Sequence, residues 1–344
     1  MTYTITLIPG DGIGPEVIES ARAVIEATDL DIEWEVVDAG ESAYRKYGTP
    51  LPKETVESIK RNKIALKGPL MTPIGTGYKS VNVTLRRIFN LYAIVRPVRY
   101  LEGLPTHYKG LDIVIIREGT EGLYSGAECY VSEKHDMAIA LRIITRKACR
   151  RVVHFAFNYA RKYERRKITL VHKANILKLT CGMLRDEFYK AAKEYPDIEV
   201  EDLLVDNMAM QLVLDPGHFD VILTSNMFGD ILSDLAAGLV GTIGIVPSAN
   251  IGDEYAIFEP THGTAPQLAG KGIANPIATI LAGALMLEYI GEVRAARLVR
   301  EAVEQIVSEG KYVTFDIASK KRSTTYVGTR QMTEKIIEKM ESLK

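Results

Sequence analysis

Few features of this sequence point outward. Its 43 lysines and arginines are matched by 44 aspartates and glutamates, leaving a net charge of −1. That balance removes the electrostatic case for nucleic acid or an anionic membrane surface as a partner. Only three cysteines occur, Cys129, Cys149 and Cys181, with no CxxC pair or zinc-ligand spacing among them. They argue against a disulfide framework and for a reducing, cytoplasmic setting. No apolar run approaches the roughly 20 residues of a membrane-spanning helix; the longest, residues 278–287, is interrupted by Gly283. The opening MTYTITLIPGDG has no basic leader and meets Asp11 after one short apolar run, so it does not read as a secretory signal. Linkers rich in Pro, Gly or Ser, low-complexity tracts and internal repeats are also missing. The single tryptophan, Trp34, falls in a strand-like run and reads as core.

What is present is 344 residues, 47% hydrophobic and 25% charged, enough for one large globular domain or two ordinary ones. Short apolar runs alternate with amphipathic patterns. Residues 4–8, 33–37 and 63–66 read as strands, with helices at 15–28 and 53–61 between them. Further strands are expected at 112–116, 167–172, 199–205 and 220–223, and helices at 148–163, 181–193, 276–290 and 293–309. Such alternation predicts an α/β fold built on a parallel sheet. Residues 128–144, rich in Val, Ile and Tyr and broken by EKHD, read as a hairpin placed to meet a partner subunit. With no linker, two domains would require the chain to cross between them more than once.

The most informative stretch is NMFGDILSDLAAGLVGTIG, residues 226–244. Read as a helix opening near Phe228, it sets Asp230 and Asp234 at i and i+4 on one face. Two carboxylates held together repel, and oxygen ligands suit Mg²⁺ or Mn²⁺ better than zinc. An ordinary acidic surface is the bland alternative, but the flanking Ile231, Leu232, Leu235, Ala236 and Ala237 argue against it. Gly10, Gly12 and Gly14 follow the first strand, where a dinucleotide loop would lie, with Asp38 where a ribose-binding acid would stand. GDGIG nevertheless misses the GxGxxG spacing, and Asp11 would face a pyrophosphate with like charge, so a tight glycine turn is the better reading. Asp11 and Glu16 are then expected to favour the N-terminus of the helix that follows.

Arg96 after LYAIV and Arg117 after LDIVII are expected at the ends of buried strands, where a guanidinium must find an acid. Singly, each is more often a structural ion pair. With Arg86 they would form a site for a substrate bearing several carboxylates. Ser80, Asn82 and Arg86 would share a helix N-terminus, itself attractive to anions. Tyr124 and Lys173 follow strands and could transfer protons.

These segments together resemble the metal-dependent β-decarboxylating dehydrogenases that act on isocitrate, homoisocitrate and 3-isopropylmalate. The matches are IPGDGIGPEV from Ile8, SVNVTLR from Ser80, VRPVR from Val95, IREGTEGLYSG from Ile116, VHKAN from Val171, the aspartate run, and EPTHGTAPQLAGKGIANP from Glu259. They span almost the whole chain in family order. The resemblance implies an isopropylmalate-dehydrogenase-like α/β fold. Its large domain would comprise residues 1–98 and 250–344, and its smaller central α/β domain residues 99–249, with a dimerisation clasp at about residues 128–145. It also implies a homodimer with active sites shared between chains. Arg86, Arg96, Arg117 and Asn175 would bind substrate with Ser80 and Asn82. Asp230 and Asp234, with Asp206 of a second copy, would hold Mg²⁺ or Mn²⁺. Lys173 would act across the interface as base, and Tyr124 would protonate the enol.

Ser80, Asn82 and Arg86 match the S-x-N-x-x-x-R pattern of isocitrate enzymes, which points to a tricarboxylate and to 2-oxoglutarate with CO₂ as products. Homoisocitrate and 3-isopropylmalate remain the alternatives, as does a non-catalytic regulatory subunit, which would normally have lost one of the residues above. For the cofactor, the resemblance implies Thr72 on the nicotinamide side, and His262, Gly263, Thr264, Ala265, Gln267, Leu268, Asn275 and Asp316 around the adenosine half. NADP-dependent relatives carry Lys and Tyr after HGTAP, and Tyr and Arg near the C-terminus; here stand Gln267, Leu268, Phe315 and Ser319. The Asp expected of NAD-dependent relatives at position 267 is absent too. Lys320, Lys321 and Arg322 offer another route to a phosphate. On balance NAD is favoured over NADP.

Overall fold

The computed structural model describes residues 2–75, 77–320 and 325–344. Twelve strands occur among them: β1 (Tyr3–Ile8), β2 (Ile32–Val36), β3 (Ile64–Lys67), β4 (Ala93–Arg99), β5 (Asp112–Glu118), β6 (Glu128–Tyr130), β7 (Ala138–Ala140), β8 (Lys167–His172), β9 (Glu199–Leu204), β10 (Val221–Thr224), β11 (Pro247–Ile251) and β12 (Ala256–Pro260). Ten form one sheet in the order β2-β1-β3-β12-β11-β4-β5-β10-β8-β9. Both wings are parallel, and the centre, where β11 pairs with β12 and β4 and β4 pairs with β5, is antiparallel. The fold is thus α/β as expected, but with a mixed sheet. Strand β12 joins β3 in the first wing although it comes late in the chain. Hence the polypeptide returns to the wing where it began. β6 and β7 make a separate exposed two-stranded ribbon, the anticipated hairpin.

Each strand forms for a legible reason. Ile113–Ile116 of β5 is a four-residue apolar run, fully buried as central strands require. Its neighbours put catalytic-type residues on one face only. Alternation sends Arg96 of β4, Asn250 of β11 and Glu259 of β12 to the front of the sheet, and Val95, Ala249 and Phe258 to the back. Arg117 is in register with Ile94, two residues from Arg96, and so shares the front.

Arg96 lies inside β4, not at its end as expected. Pro97 continues the strand because β11 pairs only with Ala93, Ile94 and Val95, so no partner on that side needs an N–H from Pro97. Asp206 falls in the first turn of a helix, Val205–Leu214, rather than just past a strand running to residue 205. The helix carrying the two aspartates is Asn226–Leu239 and opens slightly before the expected start. Strands β11 and β12 and the helices Glu41–Tyr47 and Thr329–Leu343 add to the elements expected from sequence.

The GDGIG turn is a packing device. Gly10 and Gly12 have φ of 79° and 61°, and a Cβ on Gly12 would stand 2.1 Å from the carbonyl oxygen of Thr264. Asp11 does not serve the helix that follows it. Its carboxylate accepts N–H bonds from Glu41 and Ser42 at 2.9 and 3.0 Å, capping the helix Glu41–Tyr47, and another from Met71 at 2.8 Å. Asp38 is bound to Lys46 and Tyr47 at 3.0 and 2.9 Å. Trp34 is only partly buried, and its indole N–H has no partner.

Gly229 sets the height of the aspartate helix above the sheet: a Cβ there would lie 2.7 Å from both Cβ and Cγ of Arg117. In an open helix Gly→Ala stabilises by up to about 1 kcal/mol. Here the near end of a buried side chain would have to move, so Gly229→Ala should destabilise by about 1–3 kcal/mol. Equilibrium denaturation checks the sign, and a stabilised variant would contradict the close approach.

Candidate active site

The front of the sheet gathers positive charge. Arg117 is 1% exposed, the most deeply buried of the three arginines. Its Nε and Nη2 donate to Asn226 Oδ1 at 2.9 and 2.6 Å, and its Nη1 bonds Asp230. Arg96 Nη1 reaches Asp230 at 3.3 Å, Asp234 at 3.9 Å, and the Ser233 hydroxyl. Arg96 Nε is buried with no partner. Arg86 is in the last turn of the helix Val81–Ile88 rather than at its N-terminus. It donates from Nε to Asn250 at 2.8 Å and from Nη2 to Glu259 at 3.3 Å. Ser80 is the N-cap of that helix, accepting from the Val83 N–H at 3.4 Å.

Electrostatics follow from this crowding. Burial, then Arg86 and Arg96, push the Arg117 pKa down, while Asp230 pulls it back; a guanidinium begins so high that it stays charged. Burial alone would raise Asp230, but Arg117 and Arg96 win and hold it below the usual carboxylate range. Asp234, farther from the guanidiniums, is raised by burial and by Asp230. Tyr124 donates its hydroxyl to Asp230 and lies under Arg117, 5.0 Å from ring centroid to guanidinium carbon. Burial and Asp230 raise its pKa, so it is a protonated donor at neutral pH. Its position is held by a turn between Gly122 and Gly126 and by the buried Glu118 carboxylate, which takes the N–H groups of Thr120 and Glu121 at 2.9 and 2.8 Å.

Lys173 and Asp206 pair with each other at 2.7 Å and make no hydrogen bond or ion pair to the arginine cluster among the described residues. The loop bearing Lys173 is clamped from behind. His172 Nδ1 accepts from the Ala174 N–H at 3.0 Å, and its Nε2 lies 2.6 Å from Asp202. Asn175 is exposed. Asp230 and Asp234 present hard oxygens on one helix face, a fit for Mg²⁺ or Mn²⁺. No group of three His, Cys, Asp or Glu capable of holding a metal occurs among the described residues.

A second cradle borders the GDGIG turn. His262 Nδ1 lies 3.0 Å from the Gly263 carbonyl, while its Nε2 is buried without a partner; burial lowers its pKa and keeps it neutral. Gly263 is open: a Cβ added there would meet nothing within 4 Å. Thr264 is buried behind it, and Ala265 adopts φ of 37°. Asn275 caps Ile277 through Oδ1 at 3.0 Å and donates to Asp316, which also accepts from Thr242 and Thr314. Thr72 and Gln267 are exposed, whereas Leu268 packs on Ile13, Val17 and Ala274. An unbonded imidazole nitrogen beside an open glycine suits a polar dinucleotide. Lys321 and Arg322 lie outside the described residues.

Several contributors carried no reading from sequence: Asn226, Ser233, Asn250, and the pair Lys67–Glu259 at 2.6 Å. A lysine ending the apolar run IAL, and a glutamate ending AIF, were the available signals, since each buried charge demands a partner. Lys67 and Arg86 overcome burial and hold Glu259 far below the usual range. A cavity of about 660 Å³ lies behind the sheet, away from these residues, so charge, not volume, locates this site.

Comparison with known proteins gives the same direction. The isocitrate/isopropylmalate dehydrogenase family model matches residues 4–336. The chain is 48% identical over 337 residues to a 3-isopropylmalate dehydrogenase of Methanothermobacter thermautotrophicus, covering 98% of each. It is 46% identical over 339 residues to an NADP isocitrate dehydrogenase of Thermus thermophilus, covering 98% of this chain and 67% of that one. The crystal structure of isocitrate dehydrogenase from Methylococcus capsulatus superposes with a TM-score of 0.96 at 50% identity, covering 98% and 99% of the two chains.

Asp202 tests the clamp. Burial raises its pKa, but Arg185, Tyr189 and His172 hold it down to about 2, against an ordinary 3.8. A depressed carboxyl stabilises above its unfolded pKa and loses that contribution as pH falls through the folded one. Asp202→Asn should therefore cost about 2 kcal/mol at neutral pH, with the difference shrinking between about pH 4 and pH 2. Denaturation at several pH values measures it, and a pH-independent gap would contradict the assignment.

Proposed function

The chain belongs to the isocitrate/isopropylmalate dehydrogenase family, and from that footing we propose that it oxidises and decarboxylates isocitrate to 2-oxoglutarate and CO₂. We assign NAD as hydride acceptor and Mg²⁺ or Mn²⁺ as the metal, the family using NAD(P) and a divalent cation. The observation that carries the substrate choice is the Ser80–Asn82 turn. Asn82 lines the same small recess as Arg86, and its amide N–H groups make no hydrogen bond among the described residues. A γ-carboxylate can accept from the amide N–H and the Arg86 guanidinium, whereas an isopropyl group offers no acceptor to either donor.

The chemistry then follows from the chain's own groups. Arg86, Arg96 and Arg117 bind and orient the substrate carboxylates, Arg96 through the donor now unused. The His262–Ala265 loop with Asn275 would hold a nicotinamide dinucleotide, which would supply the hydride acceptor, and Asp230 and Asp234 with Asp206 of a second copy would hold a divalent cation, which would supply Lewis acidity. Lys173 of a second copy takes the hydroxyl proton. Loss of CO₂ leaves an electron pair on carbon, and Tyr124, held protonated beside Asp230, returns a proton there.

That scheme supports a homodimer. Ile176, Leu179, Met210, Val213, Leu214 and Ile231 are exposed around Lys173, Asp206 and Asp230, an apolar surface that a second copy would cover. The ribbon β6–β7 exposes Tyr130, Met137 and Ile139 and is assigned as the clasp. We divide the chain into a large domain of residues 1–98 and 250–344 and a small one of 99–249. Two features support this division: the return of β12 to the first wing and the placing of β11 and β4 between the parallel wings. No helix among the described residues is long and apolar enough to cross a membrane; the three unpaired cysteines support a cytoplasmic setting. NAD is preferred to NADP because exposed Gln267 brings no cation to a 2′-phosphate.

3-Isopropylmalate is the second reading, favoured by the 48% identity to an enzyme of that name. Homoisocitrate differs by a methylene worth only about 1–3 kcal/mol. Turnover of the three acids with NAD and NADP, with and without EDTA, separates them; preference for 3-isopropylmalate would overturn the assignment. Tyr124→Phe should lower turnover about 10²–10⁴-fold while leaving isocitrate and Mn²⁺ affinity nearly unchanged by calorimetry. Equal turnover would remove Tyr124 from the proton transfer.

A further inference from the structure

We propose that the cavity behind the sheet is a binding site for an aromatic monoanion. It encloses about 660 Å³, within the roughly 300–1,000 Å³ typical of small-molecule sites. The helices Arg146–Lys162 and Ile277–Tyr289 wall it, and its floor is the back face of β4 and β11, including Val95, Pro97, Ala249 and Ile251.

The walls are aromatic. Phe155, Tyr159 and Tyr163 recur every four residues and form a ladder, with ring centroids 6.3 and 4.4 Å apart. Phe258 and Tyr289 face the same space from the other side, 5.6 Å from each other. Rings on both sides, presenting faces and edges, favour an aromatic guest over an aliphatic one. Charge selects its sign. Of the lining arginines, Arg99 pairs with Glu304 at 2.9 Å, Arg151 with Glu118 at 3.8 Å, Arg165 with Asp112 at 2.7 Å, and Arg300 with Glu288. Lys162 has no carboxylate partner among the described residues; its ammonium lies only against the Tyr163 ring, 5.1 Å from the centroid. One uncompensated cation over an apolar slot fits one anionic group on an apolar body. Three residues lining the back, Val95, Ala249 and Phe258, are chain neighbours of Arg96, Asn250 and Glu259 on the front. The guest therefore bears on the strands that hold the front-face charges without competing for them.

Titration of anilinonaphthalene sulfonate into the intact protein tests this. One dye per chain is expected, with affinity unchanged by saturating isocitrate, Mn²⁺ and NAD. Leu281→Trp, which fills the slot, should weaken binding at least about tenfold. Lys162→Glu, at an exposed position that leaves folding intact, should weaken it about fivefold, with that difference erased by high salt. Unaltered dye affinity in Lys162→Glu, or displacement of the dye by the front-face ligands, would overturn the proposal.

Discussion

Three guanidiniums on one face of a sheet repel, and the front of this molecule is organised around how that repulsion is relieved. Asp230 does most of it. Held over the sheet by the helix Asn226–Leu239, its carboxylate takes Arg117, Arg96 and the Tyr124 hydroxyl. Glu259 relieves the remainder, between Lys67 and Arg86. Yet the geometry leaves donors unused: Arg96 retains an unbonded Nε, and the Asn82 amide N–H groups make no hydrogen bond among the described residues. Those spare groups are what a polyanionic acid would engage.

The sheet makes this arrangement possible. A strand has two faces, and the antiparallel centre uses them for different purposes. Arg96, Asn250 and Glu259 face the charge cluster, while their immediate neighbours face an aromatic slot. Close approach is the shared constraint. Gly229 lets the aspartate helix settle onto Arg117, and Gly12 lets the first turn settle under Thr264 and the His262 loop. In both places a side chain one carbon larger would have to displace its neighbour, the Arg117 side chain in one and Thr264 in the other.

Much of this was legible in the sequence because its signals are local. Asp230 and Asp234 show their common face through helical spacing, and the arginines stand out against apolar strands. The glycines of GDGIG declare a tight turn by failing the dinucleotide spacing. What stayed hidden depends on partners distant in the chain. Lys67 and Glu259 meet only because β12 returns to β3, and PSANI and AIFEP, each carrying a proline and a polar or charged residue, do not show the unbroken apolar run that announces β5. Asp11 stands where an acid would serve its own helix, but the turn aims its carboxylate at Glu41, Ser42 and Met71. Pro97 makes β4 look finished one residue after Arg96, although an unpaired strand side tolerates proline. Periodicity gives which residues alternate, not how far apart the flanking helices stand, so the rear cavity was invisible.

The separation of Lys173 and Asp206 from the arginine cluster leads to the central claim, that two copies complete each site. Asp206→Asn and Asp230→Asn chains, each inactive alone, can be mixed after dissociation and reassociated. Mixed dimers would hold one site with both aspartates intact, so activity should return to roughly a quarter of wild type. A mixture as inactive as its components would contradict sharing of the site between chains.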